Sequence, residues 1–410
     1  MYRINAVLKS PLMVGGKTLN SNYRESRDYI PGSVLRAAYA KALVQRCSCS
    51  QTHYWLEYKS QSQCMECEFQ TVCRRFSEIK FPALYPLGGI PYPATARRKK
   101  YRDKDELGIY DVLKSRLSDQ GKAKGEADWE RLEGIHKEGL PIKLIHSPIT
   151  RTAIDYHRNA AQAGALYTQN AISEKYLDNS QELADVVFSG TMELSPEEAE
   201  ALEHIKVLHI GADITRGFGV CHMSCREIPE DSTPKQIKTR IQKFQEGMDG
   251  TKSYVVLDLL TDAYLGLEDI WKDAKPQAGI SDKQILDSQG QTISQADISD
   301  KQMLNFLEKK IGLSTEKYKL CKAYKFQEIL SGFDTSKTTE QEMRRQSHLV
   351  VKAGAVFAYQ VLTESNDIEE LLQQERKGIG EQTQHGFGKV RICDSFHTQY
   401  DARKGDSHNG

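Results

Sequence analysis
The chain has 410 residues, enough for two or three domains that each bury a core. Hydrophobic residues make up 39% and charged residues 27%, which excludes a disordered chain; Lys+Arg and Asp+Glu both number 56, so a basic field over the whole surface is excluded and any nucleic-acid surface is a local patch. No run approaches ~18 uninterrupted apolar residues, and the N-terminus lacks a basic region followed by an apolar stretch, so a cytoplasmic protein without membrane contact is expected.

Tyr2, Ile4, Ala6 and Leu8 alternate with polar positions, which predicts a strand ended by Pro11 and Gly15-Gly16. A polar loop with Arg24 and Arg27 follows. Ile30-Pro31-Gly32-Ser33-Val34-Leu35-Arg36 then opens a helix, with Ser33 as its N-cap and Leu35, Ala38, Tyr39, Ala42 and Leu43 at helical spacing. Free N–H groups at such a start can receive a phosphate; an ordinary helix start after a turn is the alternative. Residues 47–80 form a cysteine-rich insert, and 81–140 a loop region with a basic run at Arg97, Arg98, Lys99, Lys100 and Arg102. Strands are expected near 142–145, 164–167 and 186–194. These elements make an N-terminal domain of 1–230, followed by a linker at 231–250. The C-terminal domain, 251–400, opens on the strand Tyr254–Leu260, with helices at 300–310 and 367–377 and strand-like sequence at 348–363; residues 401–410 read as a disordered tail.

A duplication organises these elements. Gly211-Ala-Asp-Ile-Thr-Arg-Gly217-Phe218-Gly219 and Gly380-Glu-Gln-Thr-Gln-His-Gly386-Phe387-Gly388 share G-x5-G-F-G. Val187-Phe188 and Val356-Phe357 precede them at the same offset of 169 (380 − 211 and 356 − 187). Average Gly and Phe usage predicts one such motif about 0.004 times in a chain of this length, so two copies at one offset mark a repeated unit. Glycine permits positive φ and close backbone approach, so each loop can lay its amides against a ligand; a tight turn packed on a neighbouring helix is the alternative. No G-x-G-x-x-G stands in a βαβ run, and no Walker lysine is present.

The glycine loops resemble those of the RAMP superfamily of CRISPR proteins, and the I-P-G-S-x-L-R helix start at 30–36 is similar to theirs. Three stretches resemble the tandem-RAMP subunit of type III-D effectors: YPLGGIPYPATARRKKY (85–101), RTAIDYHRNAAQAGALYTQNAI (151–172) and HIGADITRGFGV (209–220). The resemblance implies an α+β fold of two ferredoxin-like (RRM-like) domains in tandem. It also implies a place among other type III effector subunits, with crRNA bound at its 5′ tag in the manner of a group-5 cap and target RNA met indirectly. The first loop carries Ala212-Asp213-Ile214 where an Arg is common. The RNA contacts implied are therefore Arg24, Arg27, Ser33, Arg36, the Arg97–Lys100 run, Arg151, His157, Arg158, and the loop residues Arg216, Gly217, Phe218 and Gly219. Gln382, Gln384, His385, Gly386, Phe387 and Gly388 complete the set. Lys and Arg neutralise phosphates while aromatic rings stack bases, and Tyr92, Tyr101, Tyr156 and Tyr167 neighbour these basic residues in sequence.

Cys47-x-Cys49, Cys64-x-x-Cys67 and Cys73 offer five thiols for four places around a structural zinc ion. The expected ligands are Cys49, Cys64, Cys67 and Cys73, with Cys47 as the alternate to Cys49 and His53 in reserve; a set of unmetallated thiols is the alternative. No catalytic triad is visible. A non-catalytic RNA binder is the first reading. A metal-independent processing nuclease using His157, or a target-RNA nuclease using Asp28, are the others.

Overall fold
The computed structural model describes all residues except 16–17, 21, 48–55, 57–61, 102–107, 119–125, 178–181, 231, 247, 249–251, 268, 270–284, 287–291, 294–299, 331–347, 364–365 and 405–410. It is a mixed α/β chain of two units.

The first unit holds residues 1–90, 141–230 and 384–386. Its sheet begins with β1 (Tyr2–Leu8), where alternation buries Ile4, Ala6 and Leu8. α1 (Gly32–Arg46) follows and buries Leu35, Ala38, Tyr39, Ala42 and Leu43, the stripe expected from the sequence. Next come the short β2 (Tyr85–Pro86), a long ribbon of β3 (His146–Asp155) and β4 (Ala160–Ile172), and β5 (Val187–Met192). α2 (Pro196–Glu203), closed by a Ser195–Glu198 capping box, leads to β6 (Val207–His209) and β7 (Val220–Glu227). The sheet order is β6-β7-β1-β5-β2, and every pairing is antiparallel. In chain order β1-α1-β2-β5-α2-β7 is a ferredoxin-like βαββαβ unit, with β6 added at the edge.

The second unit holds 91–140, 231–383 and 387–410. α3 (Pro234–Gln245) is followed by β8 (Tyr254–Leu259), α4 (Asp300–Ile311), β9 (Tyr318–Tyr324), β10 (Val356–Val361), α5 (Ile368–Lys377), β11 (Val390–Ile392) and the single turn α6 (Phe396–Gln399). Its sheet, β9-β10-β8-β11, is again wholly antiparallel. The first strand again lies between the third and the fourth, with the second at the edge. The expected duplication is thus present as topology. Phe188 faces Ala6 across β5 and β1, Phe357 faces Leu257 across β10 and β8, and both phenylalanines are fully buried.

Three expectations about boundaries are corrected. Residues 91–140 fold with the second unit, because Leu113 and Leu117 enter its core and the Ala94 N–H donates to the Gly354 carbonyl at 2.7 Å. The segment 231–250 is no mere linker: Thr233 and Gln236 form a capping box, and α3 buries Ile237, Ile241 and Phe244 in the same core. Residues 401–404 are ordered as well, since Asp401 is buried and its carboxylate accepts from Arg403 at 2.7 Å; 405–410 lie outside the described residues. Among the described residues no helix is long and apolar enough to cross a membrane.

Candidate nucleic-acid interface
Both glycine motifs fold as one loop design. Gly211, Asp213, Gly217 and Gly219 have φ of 90°, 56°, 86° and 70°; Gly380, Gln382, Gly386 and Gly388 have 76°, 56°, 81° and 71°. Each loop contains a short 3-10 turn, Ile214–Arg216 in one and Thr383–His385 in the other. Each docks on the turn after the first strand of its own half. The Gly219 N–H donates to Pro11 O and the Ala212 N–H to Met13 O; likewise Gly388 donates to Asp262 O and Glu381 to Tyr264 O, all at 2.7–2.9 Å. Ser10 and Thr261 hydroxyls accept from the Val220 and Lys389 N–H groups, both at 2.9 Å. The closing glycines are required by packing: a Cβ on Gly219 would run into the Ile210 carbonyl, and one on Gly388 into that of Ile379.

The tips differ. Residues 215–217 are exposed, and a Cβ on Gly217 would meet open space. In the second loop, residues 384–386 belong to the first unit, where the Gln384 carbonyl accepts from the Phe81 N–H at 3.2 Å and Gly386 packs against Gly32 and the Phe81 carbonyl. Gln382 is exposed, whereas Gln384, His385 and Phe387 are half-buried, and the Phe387 ring meets Tyr264 edge-on at 4.6 Å. The second loop is therefore closed at its tip, against the expectation that Gln384, His385 and Gly386 face a ligand.

Beside the open loop stands the β3–β4 ribbon. Phe218 is buried with Met13 and Ala171, and the Arg151 guanidinium lies over its ring at 4.8 Å. Arg151 reaches Asp213 at 3.5 Å. Arg216, 55% exposed, donates to the Tyr167 hydroxyl at 2.8 Å and meets Asp213 at 3.3 Å. Two guanidinium groups thus share one carboxylate, which fixes both and leaves one positive charge in excess. Asp213 is the hinge of this arrangement; its role was not readable from sequence because it depends on Arg151, 62 residues away. Arg24 is exposed on the strand Tyr23–Glu25, opposite Gln169 of β4. The ribbon turn carries Tyr156, His157 and Arg158, all exposed, with Asp155 accepting the backbone N–H of His157 at 2.9 Å.

Several other expected contacts have partners within the fold. Ser33 does not cap α1; the cap position is Pro31, and Gly32, the first helical residue, is buried. Arg27 donates to Gly15 O and to Tyr29, both at 2.9 Å. Arg36 lies 4.6 Å over the Phe76 ring, and its burial lowers its pKa. Arg97 is 8% exposed and donates to the Ala94 and Ala96 carbonyls, so it is unavailable to a ligand. Arg98 pairs with Glu130 at 2.6 Å, and Lys99 lies 5.4 Å from the centre of the Tyr110 ring, which stacks on Trp129. Lys100 remains exposed, and this run belongs to the second unit. Asp28 is spent on His146, 2.8 Å away.

Cys47, Cys64, Cys67 and Cys73 line one cavity with Leu43, Leu56, Phe69 and Gln70. Burial, then the neighbouring Cys67, Cys47 and Cys64, push the Cys73 thiol up to about 12. Cys49 and His53 lie outside the described residues; Cys47 is among the described residues that line the cavity. Among the described residues no three His, Cys, Asp or Glu side chains are arranged to hold a metal ion.

No protein-family model matches the chain, and no curated protein matches it. Solved structures do. One chain of a type III-B Cmr-beta complex bound to cognate target RNA is 9% identical over 95% of this chain and 96% of that one, with a TM-score of 0.40. A CRISPR associated protein Cas6 is 10% identical over 95% and 98%, at 0.26. Cas6e from Escherichia coli str. K-12 is 10% identical over 53% and 79%, at 0.22.

Proposed function
We propose that this chain is a non-catalytic RNA-binding subunit of the RAMP superfamily, working in a type III CRISPR ribonucleoprotein of the type III-D kind. Its ligand is the crRNA, held near the 5′ tag, with other effector subunits as neighbours and target RNA met through the guide. The observation that carries this reading is the pair of equivalent glycine loops on ferredoxin-like halves, one of them open beside Arg151, Arg216, Tyr167 and Phe218. Fixed guanidinium groups suit phosphates, and the exposed Tyr156 offers a stacking face on the same ribbon. The resemblance of 30–36, 85–101 and 151–172 to RAMP sequences supports the same assignment.

A structural zinc ion is part of the proposal. Cys64, Cys67 and Cys73, with Cys49 or its alternate Cys47, would hold it as thiolates, the form a cation favours. The metal would staple the insert onto α1. Elemental analysis of purified protein is expected to give one zinc per chain, and Cys64→Ser to abolish it.

Purified chain incubated with labelled precursor RNA tests the main reading. Shifted, uncut RNA is expected with and without chelator. A chelator-resistant cut lost in His157→Ala, or a divalent-dependent cut lost in Asp28→Ala, would replace the binder with one of the two nucleases.

A further inference from the structure
The second unit encloses a cluster of ionisable groups that RNA binding does not use. His397, on α6, is fully buried. Its Nδ1 lies 3.0 Å from Asp111 Oδ2, and its Nε2 2.6 Å from Asp258 Oδ1. Both carboxylates are buried and held from behind. The Thr95 hydroxyl and the Leu113 N–H donate to Asp111, each at 2.7 Å, and the Asp394 N–H donates to Asp258 at 2.9 Å. A neutral imidazole has one N–H and one lone pair, so with both carboxylates ionised one of them would turn an anionic oxygen to the lone pair. An imidazolium donates to both. The three residues come from separate stretches of chain: Asp111 from the 91–140 segment, Asp258 from the central strand β8, and His397 from the C-terminal turn.

We propose that Asp111, His397 and Asp258 form a protonation-dependent clasp, which fastens the 91–140 segment and the C-terminal turn to β8 while His397 is charged and releases both when it is not. The 91–140 segment carries the exposed Lys100, so the clasp also sets where that charge is presented.

Other charged groups surround the cluster without replacing its cation. On the C-terminal side, Asp394 pairs with Arg391 at 3.3 Å, and Asp401 pairs with Arg403 at 2.7 Å. Lys114, from the helix Leu113–Leu117, lies 3.9 Å from Asp401, donates to Glu246 O and sits over Phe244 of α3, whose ring meets His397 edge-on. Arg97 and Tyr324 interact with Asp111, Cys393 with Asp258, and His136 with Asp394, all through space. Burial alone would lower the His397 pKa, but Asp258 and Asp111 outweigh it and hold the ring well above its ordinary 6.5. Its contribution to stability is therefore complete below pH 6.5 and is lost as pH rises through the elevated folded value. Burial pushes Asp111 up as well, yet His397 and the hydrogen bonds hold it below its ordinary value, so its own contribution fails only in acid. Burial, opposed by His397 and aided by the Asp394 charge, pushes Asp258 up.

Hydrogen exchange of the full chain from about pH 6 to about pH 10, corrected for intrinsic rates, tests the clasp. Peptides spanning 91–100, 108–118 and 396–404 are expected to lose protection together, by about tenfold or more, while β10 keeps its own. His397→Gln should be open at every pH, and Asp258→Asn should move the wild-type transition to lower pH. Should His397→Gln fail to fold, 15N-histidine spectra of the wild-type chain read the ring directly: the doubly protonated signature is expected for His397 near pH 8. A neutral ring at that pH, protection unchanged up to about pH 10, or segments that open at different pH would each overturn the proposal.

Discussion

The two glycine loops have nearly the same backbone and opposite surroundings. Their four positive-φ residues agree closely, and each donates to the turn after its own first strand. What differs is the tip: Gly217 faces open space, while Gly386 is packed on Gly32 and the Phe81 carbonyl. The closing glycines serve the fold in both halves, so the motif by itself is a folding signature. The first loop alone has an open tip, with Arg216 tied to Tyr167 and Arg151 over Phe218. A duplicated motif therefore signals duplicated geometry, and function has to be decided copy by copy.

The largest expected effect tests the shared part. Gly219→Ala and Gly388→Ala each drive a Cβ into a backbone carbonyl at φ near +70° and should each cost about 3 kcal/mol or more in denaturant unfolding. A large loss in one half and none in the other would break the equivalence. The next pair sharpens the difference. Gly386→Ala must displace backbone and should cost about 2–3 kcal/mol, whereas Gly217→Ala meets only the strain of positive φ, about 1 kcal/mol. Equal losses at the two tips would contradict the open-and-closed distinction.

Smaller effects separate binding from folding. Arg216→Ala should weaken guide-RNA binding about tenfold, equivalent to about 1.4 kcal/mol, with a stability change within about 1 kcal/mol. Arg97→Ala should do the reverse, lowering stability by about 1–3 kcal/mol because its guanidinium holds two buried carbonyls, and leaving affinity nearly intact. Anisotropy titrations beside thermal melts distinguish the two. Lys100→Ala should give the smallest change, under about threefold in affinity, with the salt slope reduced by about 0.7 if it touches one phosphate.

Much of the frame was legible in the sequence for local reasons. The alternation of β1, the helical stripe of α1 and the 169-residue offset of the Val-Phe and glycine motifs are all short-range patterns, and all correspond to structure. α3 carries its own local signals: Thr233-Pro234-x-Gln236 is a capping signal, and Ile237, Ile241 and Phe244 recur at helical spacing. The destination of 91–140 was not legible, because it rests on Leu113, Leu117 and Asp111 meeting partners more than a hundred residues away. The basic run misled for a related reason. Charge density reads as exposure, yet the strand Ala96–Lys99 turns Arg97 inward onto carbonyls and pairs Arg98 with Glu130. The closed tip of the second loop likewise depends on Gly32 and Phe81, far away in sequence.

Photocrosslinking of the full chain to guide RNA, with peptide mapping, tests the open loop most directly. Crosslinked residues should fall within 151–167 and 211–219 and spare 380–388. Crosslinks concentrated in 380–388, or shared evenly by the two loops, would contradict it.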